Sequence, residues 1–119
     1  MTTKDIMNLD CREEESKEII QKVLRQIKPL SRYSDECEIP FEAIEKAIVV
    51  MVKKYNLRVA EFMPDVRSNE EHVIWRAMLI NDTNYKMIEM VYGITLYEVF
   101  AKTAIRLYAE VKKGISKRS

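Results

Sequence analysis

His72 is the one imidazole in this 119-residue chain, and it follows directly on Glu70 and Glu71. A histidine beside carboxylates is the raw material of a general acid–base pair or of a metal site, and both need further groups converging on one point. Along an extended segment adjacent side chains point to opposite sides, so His72 is expected to be a solvated residue at a strand start. An enzyme using His72 with Glu70 or Glu71 is the distant alternative. Any Cys/His or Ser/His/Asp nucleophile would have to recruit this same residue, and neither Cys11 nor Cys37 has a histidine near it in sequence. The carboxylates of Asp35/Glu36 and of Glu13-Glu14-Glu15 fall in polar segments where a charge is readily solvated, which gives them little catalytic content. Gly93 and Gly114 are the only glycines, too few for a phosphate-cradling loop. No catalytic residue, metal ligand or cofactor is expected.

Side chains suited to binding are easier to find. Trp75 and Arg76, with Tyr85 and Tyr92 on the next extended run, form a candidate aromatic and cationic platform for a protein or a single-stranded nucleic acid. Trp75 at a core-facing position has packing as its ordinary role. Tyr97 and Tyr108 lie on one face of the last helix with Ala101 and Ala104 between them. That stripe suits internal packing, and its small alanines also suit close helix–helix contact across a dimer.

The elements that position these residues follow from periodicity. Residues 1–12 lack a regular period and are expected to form a flexible N-terminal arm. From Glu13 onward Ile19, Ile20, Val23, Leu24 and Ile27 recur at helical spacing, and Pro29 with the polar run Ser31–Glu38 ends that helix. Pro40 suits the first position of a second helix, whose stripe is Phe41, Ile44, Ile48, Met51, Val52 and Tyr55. Ala47, Val49 and Val50 widen the stripe, which predicts a central helix. Asn56 is its expected left-handed stop.

Leu57–Met63 reads as a strand ended by Pro64, and His72–Ile80 and Tyr85–Tyr92 as two strands joined by the polar connection Asn81–Asn84. The last helix runs from Leu96 to Lys113 with Gly114 as its exit, followed by a flexible basic tail over 114–119. Its start has three agreeing signals. Thr95 and Glu98 have capping-box spacing, Ile94 and Val99 flank the box as a hydrophobic staple, and Gly93 is expected to take a positive φ. The fold class is therefore α+β. It is a single domain over 1–119, in the order α-α-β-β-β-α, with a three-stranded antiparallel meander packed with helices.

The middle strand is apolar on both faces, with Val73, Trp75, Ala77 and Leu79 on one and Ile74, Met78 and Ile80 on the other beside His72 and Arg76. Two arrangements compete. Either the first helix covers the face opposite the other two helices, or that face is closed by self-association.

Twenty basic residues against 19 acidic ones give no general electrostatic argument for nucleic acid or an anionic membrane. The acidic start and the basic finish of the chain suit helix dipoles. No apolar run reaches membrane-span length and no secretory leader pattern is present, so a cytoplasmic protein with free thiols is expected, a Cys11–Cys37 disulfide being the less usual state there.

The segment from Tyr92 through Gly93, Thr95, Glu98 and Val99 to Lys102 resembles the closing strand-to-helix passage of small uncharacterised prophage-type and mobile-element proteins. The resemblance implies a phage or mobile-element regulator or inhibitor, and it transfers no functional residue. Taken together, the expectation is a small non-enzymatic interaction module, homodimeric, whose partner is another protein met through Ile74, Trp75, Arg76, Met78, Ile80, Tyr92, Tyr97 and Tyr108. A nucleic-acid-binding module using Arg76, Lys86 and the basic C-terminal tail is the alternative.

Overall fold

The helical and extended patterns of the described residues fold as a three-stranded sheet carrying their helices on one side. The computed structural model describes residues 14–119; the N-terminal arm, Cys11 and the acidic residues up to Glu13 lie outside them. Helix α1 spans Glu14–Leu24, α2 Phe41–Lys54 and α3 Leu96–Lys113, with a short 3-10 turn at Leu30–Arg32. Strands β1 (Leu57–Pro64), β2 (Trp75–Asn81) and β3 (Lys86–Gly93) pair antiparallel in the order β1-β2-β3. The α+β class and the order α-α-β-β-β-α are those the periodicity predicts.

One buried cluster holds the molecule together. Ile20 and Leu24 of α1, Ile44, Ala47 and Met51 of α2, and Val99, Ala101, Ala104, Ile105 and Leu107 of α3 meet Leu57, Ala77, Leu79 and Val91 from a single sheet face. Each of the larger side chains contributes about 1.5–3 kcal/mol on being withdrawn from water. The hub is α3, which packs against α1, α2, β2 and β3, whereas α2 touches α3 and β1. The expectation of a central α2 is therefore corrected: Val49 and Val50 on its outer side are about half exposed, at 49% and 53%. Ala101 and Ala104 of α3 are consumed in this internal packing, both being fully buried. The cluster takes nothing from the opposite sheet face. The arrangement with α1 covering that face is not the one formed, because α1 packs on α3.

The β3-to-α3 junction departs from expectation in one respect. Thr95 is extended, with φ −130° and ψ 158°, and its Oγ1 accepts from the Glu98 backbone N–H at 3.1 Å. Glu98 reaches back one residue further than a standard capping box, its Oε2 accepting from the Ile94 N–H at 3.4 Å. Gly93, however, is not a positive-φ residue; among the glycines that conformation belongs to Gly114. What Gly93 supplies is absence of bulk, since a Cβ there would lie 2.8 Å from Val99 N and 2.9 Å from Glu98 Cβ. Gly114, at φ 97°, ends α3 as predicted, with its N–H and that of Ile115 returning to Val111 O and Glu110 O.

Other boundaries shift for local reasons. Residues 72–74 precede β2, because the connection from β1 is tied by its own side chains. Ser68 Oγ accepts from Ile74 N at 2.8 Å, and Asn69 Oδ1 accepts from the Glu71 and His72 N–H groups. Tyr85 belongs to the hairpin turn, with φ 58°, and β3 starts one residue later. Pro40 occupies the cap position, just before the first residue of α2. Asn56 does not stop α2 in a left-handed conformation. Its amide Nδ2 donates instead to Ser116 O at 3.2 Å and Ser116 Oγ at 3.1 Å. The basic segment after Gly114, read from sequence as flexible, runs beside Tyr55 and Asn56, and the Arg118 guanidinium donates to Val52 O and Leu57 O, each at 2.7 Å.

Two substitutions measure the junction. Thr95→Ala removes a helix cap and should lower unfolding free energy by about 1 kcal/mol. Gly93→Ala forces a Cβ against the α3 backbone and should cost about 1–3 kcal/mol although the φ angle tolerates alanine. Chemical denaturation of both variants checks this, and a Gly93→Ala midpoint equal to wild type would show that β3 and α3 do not approach so closely.

Candidate functional site

On the sheet face turned away from the helices, the strand register sets side chains in three ranks. Met63, Arg76 and Tyr92 are cross-strand partners, as are Ala60, Met78 and Met90, and then Arg58, Ile80 and Met87. Four methionines thus lie on one small surface. Met63 and Met87 are exposed and Met78 and Met90 half-buried. A methionine side chain is unbranched, flexible and polarizable, and surfaces rich in it adapt to the shape of what they contact.

This surface exists because each edge strand carries a bulge. In β1, Glu61 and Phe62 together oppose Ala77; in β3, the register slips by one residue between Glu89 and Met87, with Ile88 as the extra residue. An inserted residue reverses the alternation beyond it. Met63 therefore shares a face with Ala60, and Met87 with Met90, although each pair is three residues apart. The inserted side chains go to the helix side. Ile88 packs against the core. Phe62 stacks on Trp75 with centroids 5.8 Å apart and meets Phe100 edge-on at 5.0 Å, Phe100 lying 4.8 Å from Phe41. Glu61 takes φ 50° to make this possible, a region uncommon for a residue with a side chain.

The candidate residues read from the sequence divide accordingly. Arg76, Met78, Ile80 and Tyr92 share the open face, Ile74 precedes β2 and is tied through its backbone to Ser68 and Asp65, and Trp75 lies on the other face, in the aromatic cluster. Tyr97 and Tyr108 are on α3, both packed against the core. Tyr97 donates its hydroxyl to Ile39 O at 2.9 Å, and Lys17 sits 5.3 Å over its ring. Lys86 begins β3 at the far end of the sheet from Arg76. His72, Glu70 and Glu71 are exposed in the β1–β2 connection. Among the described residues, no three His, Cys, Asp or Glu side chains are grouped to hold a metal ion. Cys37 is a free, exposed thiol.

Charge on the open face is organised by Asp65. Its carboxylate accepts from Arg67 N at 2.9 Å and Arg67 Nε at 2.8 Å, and these bonds hold it below the usual carboxylate range. Arg67 also lies 4.5 Å over the Tyr92 ring. Arg76 is left with a different environment. Its Nη2 approaches Met63 Sδ at 3.2 Å, while its Nε is buried without a hydrogen-bond partner among the described residues. Sequence reading missed Met63, Met87, Met90 and Arg67, since nothing in the order of residues marks where a strand will bulge.

A second concavity, an open cleft of about 810 Å³, lies between α1 and residues 35–38, lined by Lys17, Gln21, Lys22, Arg25 and the acidic residues opposite them. Its charges are largely matched, with Lys17 3.2 Å from Glu38 and Arg25 donating to the Ser34 and Cys37 carbonyls. No helix among the described residues is long and apolar enough to cross a membrane. Comparison with protein families, curated proteins and solved structures finds no match to the chain.

The half-buried phenol of Tyr97 gives a pH test of how α3 is held. Burial, with Glu38 nearby, pushes its pKa from 10.0 up to about 12, against a smaller opposing effect of Arg25. The unfolded chain loses this proton first, so the contribution is intact below pH 10 and is lost as pH rises toward 12. Urea midpoints should fall over that window more steeply for wild type than for Tyr97→Phe. Parallel slopes would mean the phenol is solvated.

Proposed function

We propose that this protein is a small non-enzymatic interaction module that binds another protein through the open face of its sheet. The observation that supports this most directly is the separation of that face from the core: Arg76 lies among Met63, Tyr92 and Met78, with Met90 and the buried Ile80 further along, and none of these belongs to the core cluster. Contiguous apolar surface rimmed by polar groups is what a soluble domain uses to meet a partner. Action by binding rather than turnover also fits a phage or mobile-element regulator or inhibitor, the class that the Tyr92–Lys102 segment resembles.

Self-association is the second reading, favoured by the composition of the same face. A second copy brings an equally apolar set of methionines and isoleucines, and a two-fold dimer is the commonest way to bury them. The nucleic-acid reading has less to draw on. Arg118 of the tail is engaged with the Val52 and Leu57 carbonyls and with Asp82 at 3.0 Å, and Arg67, the cation nearest Tyr92, is paired with Asp65.

Met78→Lys places a charge in the middle rank of the face without touching the core. Captured from a lysate of the native host, partners identified with the wild-type bait should be lost with this variant, whose melting temperature should stay close to wild type. An identical set of captured proteins would overturn the assignment of this face. Light scattering separates the two readings, since a mass near twice 14.1 kDa assigns the face to a second copy and a mass of 14.1 kDa leaves it to a different protein.

A further inference from the structure

We propose that Arg76 is the receptor for a carboxylate carried on an apolar segment of the partner protein, an inference that rests on the sheet face being a docking surface. A guanidinium has five N–H donors in a planar fork. Arg76 uses one toward a thioether sulfur, a weak acceptor, and its Nε is buried with no hydrogen-bond acceptor among the described residues. Withdrawing such a donor from water without a partner is unfavourable, so an arginine in this state is a specific demand for an acceptor. The nearby carboxylate, Asp65, feels the Arg76 charge, but its hydrogen bonds go through Oδ2 to the backbone and side-chain N–H of Arg67, and none reaches the Arg76 Nε.

The neighbours of Arg76 define the rest of the ligand. Met63 and Tyr92 stand opposite it across the two strand pairings, and Met78 follows it along β2 on the same face. A free hydrated anion gains little among these groups. A glutamate or aspartate embedded in an apolar segment gains twice, because its carboxylate takes the fork in a two-bond pairing while its neighbours bury the methionines. A second copy docked about a two-fold axis near this point would set one guanidinium against another, which like-charge repulsion disfavours. A phosphate backbone would satisfy the fork but leave the apolar ranks uncovered.

Octanoate and octanol are matched probes, alike in chain and different in the head group. With methionine methyls and arginine Nε–H groups followed by NMR, octanoate should shift Met63, Met78, Met90 and Arg76 at about tenfold lower concentration than octanol does. Arg76→Gln should erase that difference while leaving the octanol response in place, and Arg76→Lys should keep only part of it. Equal responses to the two probes in wild type, or a preference that survives in Arg76→Gln, would overturn the role of Arg76 and leave the docking face standing. Failure of both probes to move the methionine methyls would overturn the docking face itself. Displacement of octanoate by a single-stranded oligonucleotide with a steep salt dependence would assign the fork to phosphate and defeat the proposal. A dimer of 14.1 kDa chains that octanoate dissociates would assign the face to a second copy, with the same result.

Discussion

The fold depends on how closely α3 can lie against the end of β3. At Gly93 the strand backbone comes so near the first turn of α3 that no side chain fits between them, and Thr95 then starts the helix within two residues. That short, tight junction fixes the direction in which α3 leaves the sheet. Ala101 and Ala104, fully buried on the following turns, keep the middle of α3 narrow, so that α1 and α2 can both pack on a helix that is itself on the sheet. Burial of Val99, Ile105 and Leu107 follows from the same placement. An α3 held even slightly further out would leave these three side chains partly wet and would separate α1 from the only element it packs on extensively.

The opposite end of the molecule is closed by polar contacts rather than by apolar ones. The last carbonyls of a helix have no partner within it, and Val52 and Lys54 of α2 receive theirs from the side chain and backbone of Arg118. The same guanidinium reaches Asp82, whose second carboxylate oxygen accepts from Arg58 at 3.1 Å. Asp82 also donates its N–H to Asn56 O. One arginine near the C-terminus therefore links the end of α2, the start of β1 and the β2–β3 turn. Its positive charge sits where the dipole of α2 favours it.

How much of this is legible in the sequence depends on whether a feature is local. Helix periods, the Thr95 cap and the Gly114 exit are set by residues within one or two turns of each other, and they appear in the chain as predicted. Gly93 shows the limit of that reading. The residue type was informative, but a glycine serves both positive φ and close approach, and which one applies is decided by the position of α3 in space. Asn56 is similar, its side chain turned to the Ser116–Lys117 backbone sixty residues away. The width of the apolar stripe on α2 suggested a central helix because sequence shows how much of a helix is apolar, not which neighbours arrive to cover it. The open face was half legible. Along β2, which carries no bulge, strict alternation put Arg76, Met78 and Ile80 together, and the register has them so, while Ile74 of the same predicted run precedes the strand. Along β1 and β3 alternation fails, and with it any reading of Met63, Met87 and Met90.

Those failures of alternation are what distinguish the two sheet faces. A regular β1 would turn Met63 toward the helices and Phe62 away from them, and a regular β3 would oppose Ile88 to Ile80 on the open face and turn Met87 toward the helices. The bulges exchange these residues in pairs. Bulky, shape-defined side chains, Phe62 and Ile88, go to the helix side, where Phe62 completes an aromatic cluster with Trp75, Phe100 and Phe41. Flexible thioethers go to the open face around Arg76. Rigid packing is thereby concentrated where the fold needs one arrangement, and adaptable surface where it needs none of its own. The unusual φ of Glu61 belongs to this exchange, because a residue forced into the left-handed region persists only where its surroundings fix it, and here the insertion of the next residue between Trp75 and Phe100 supplies that constraint.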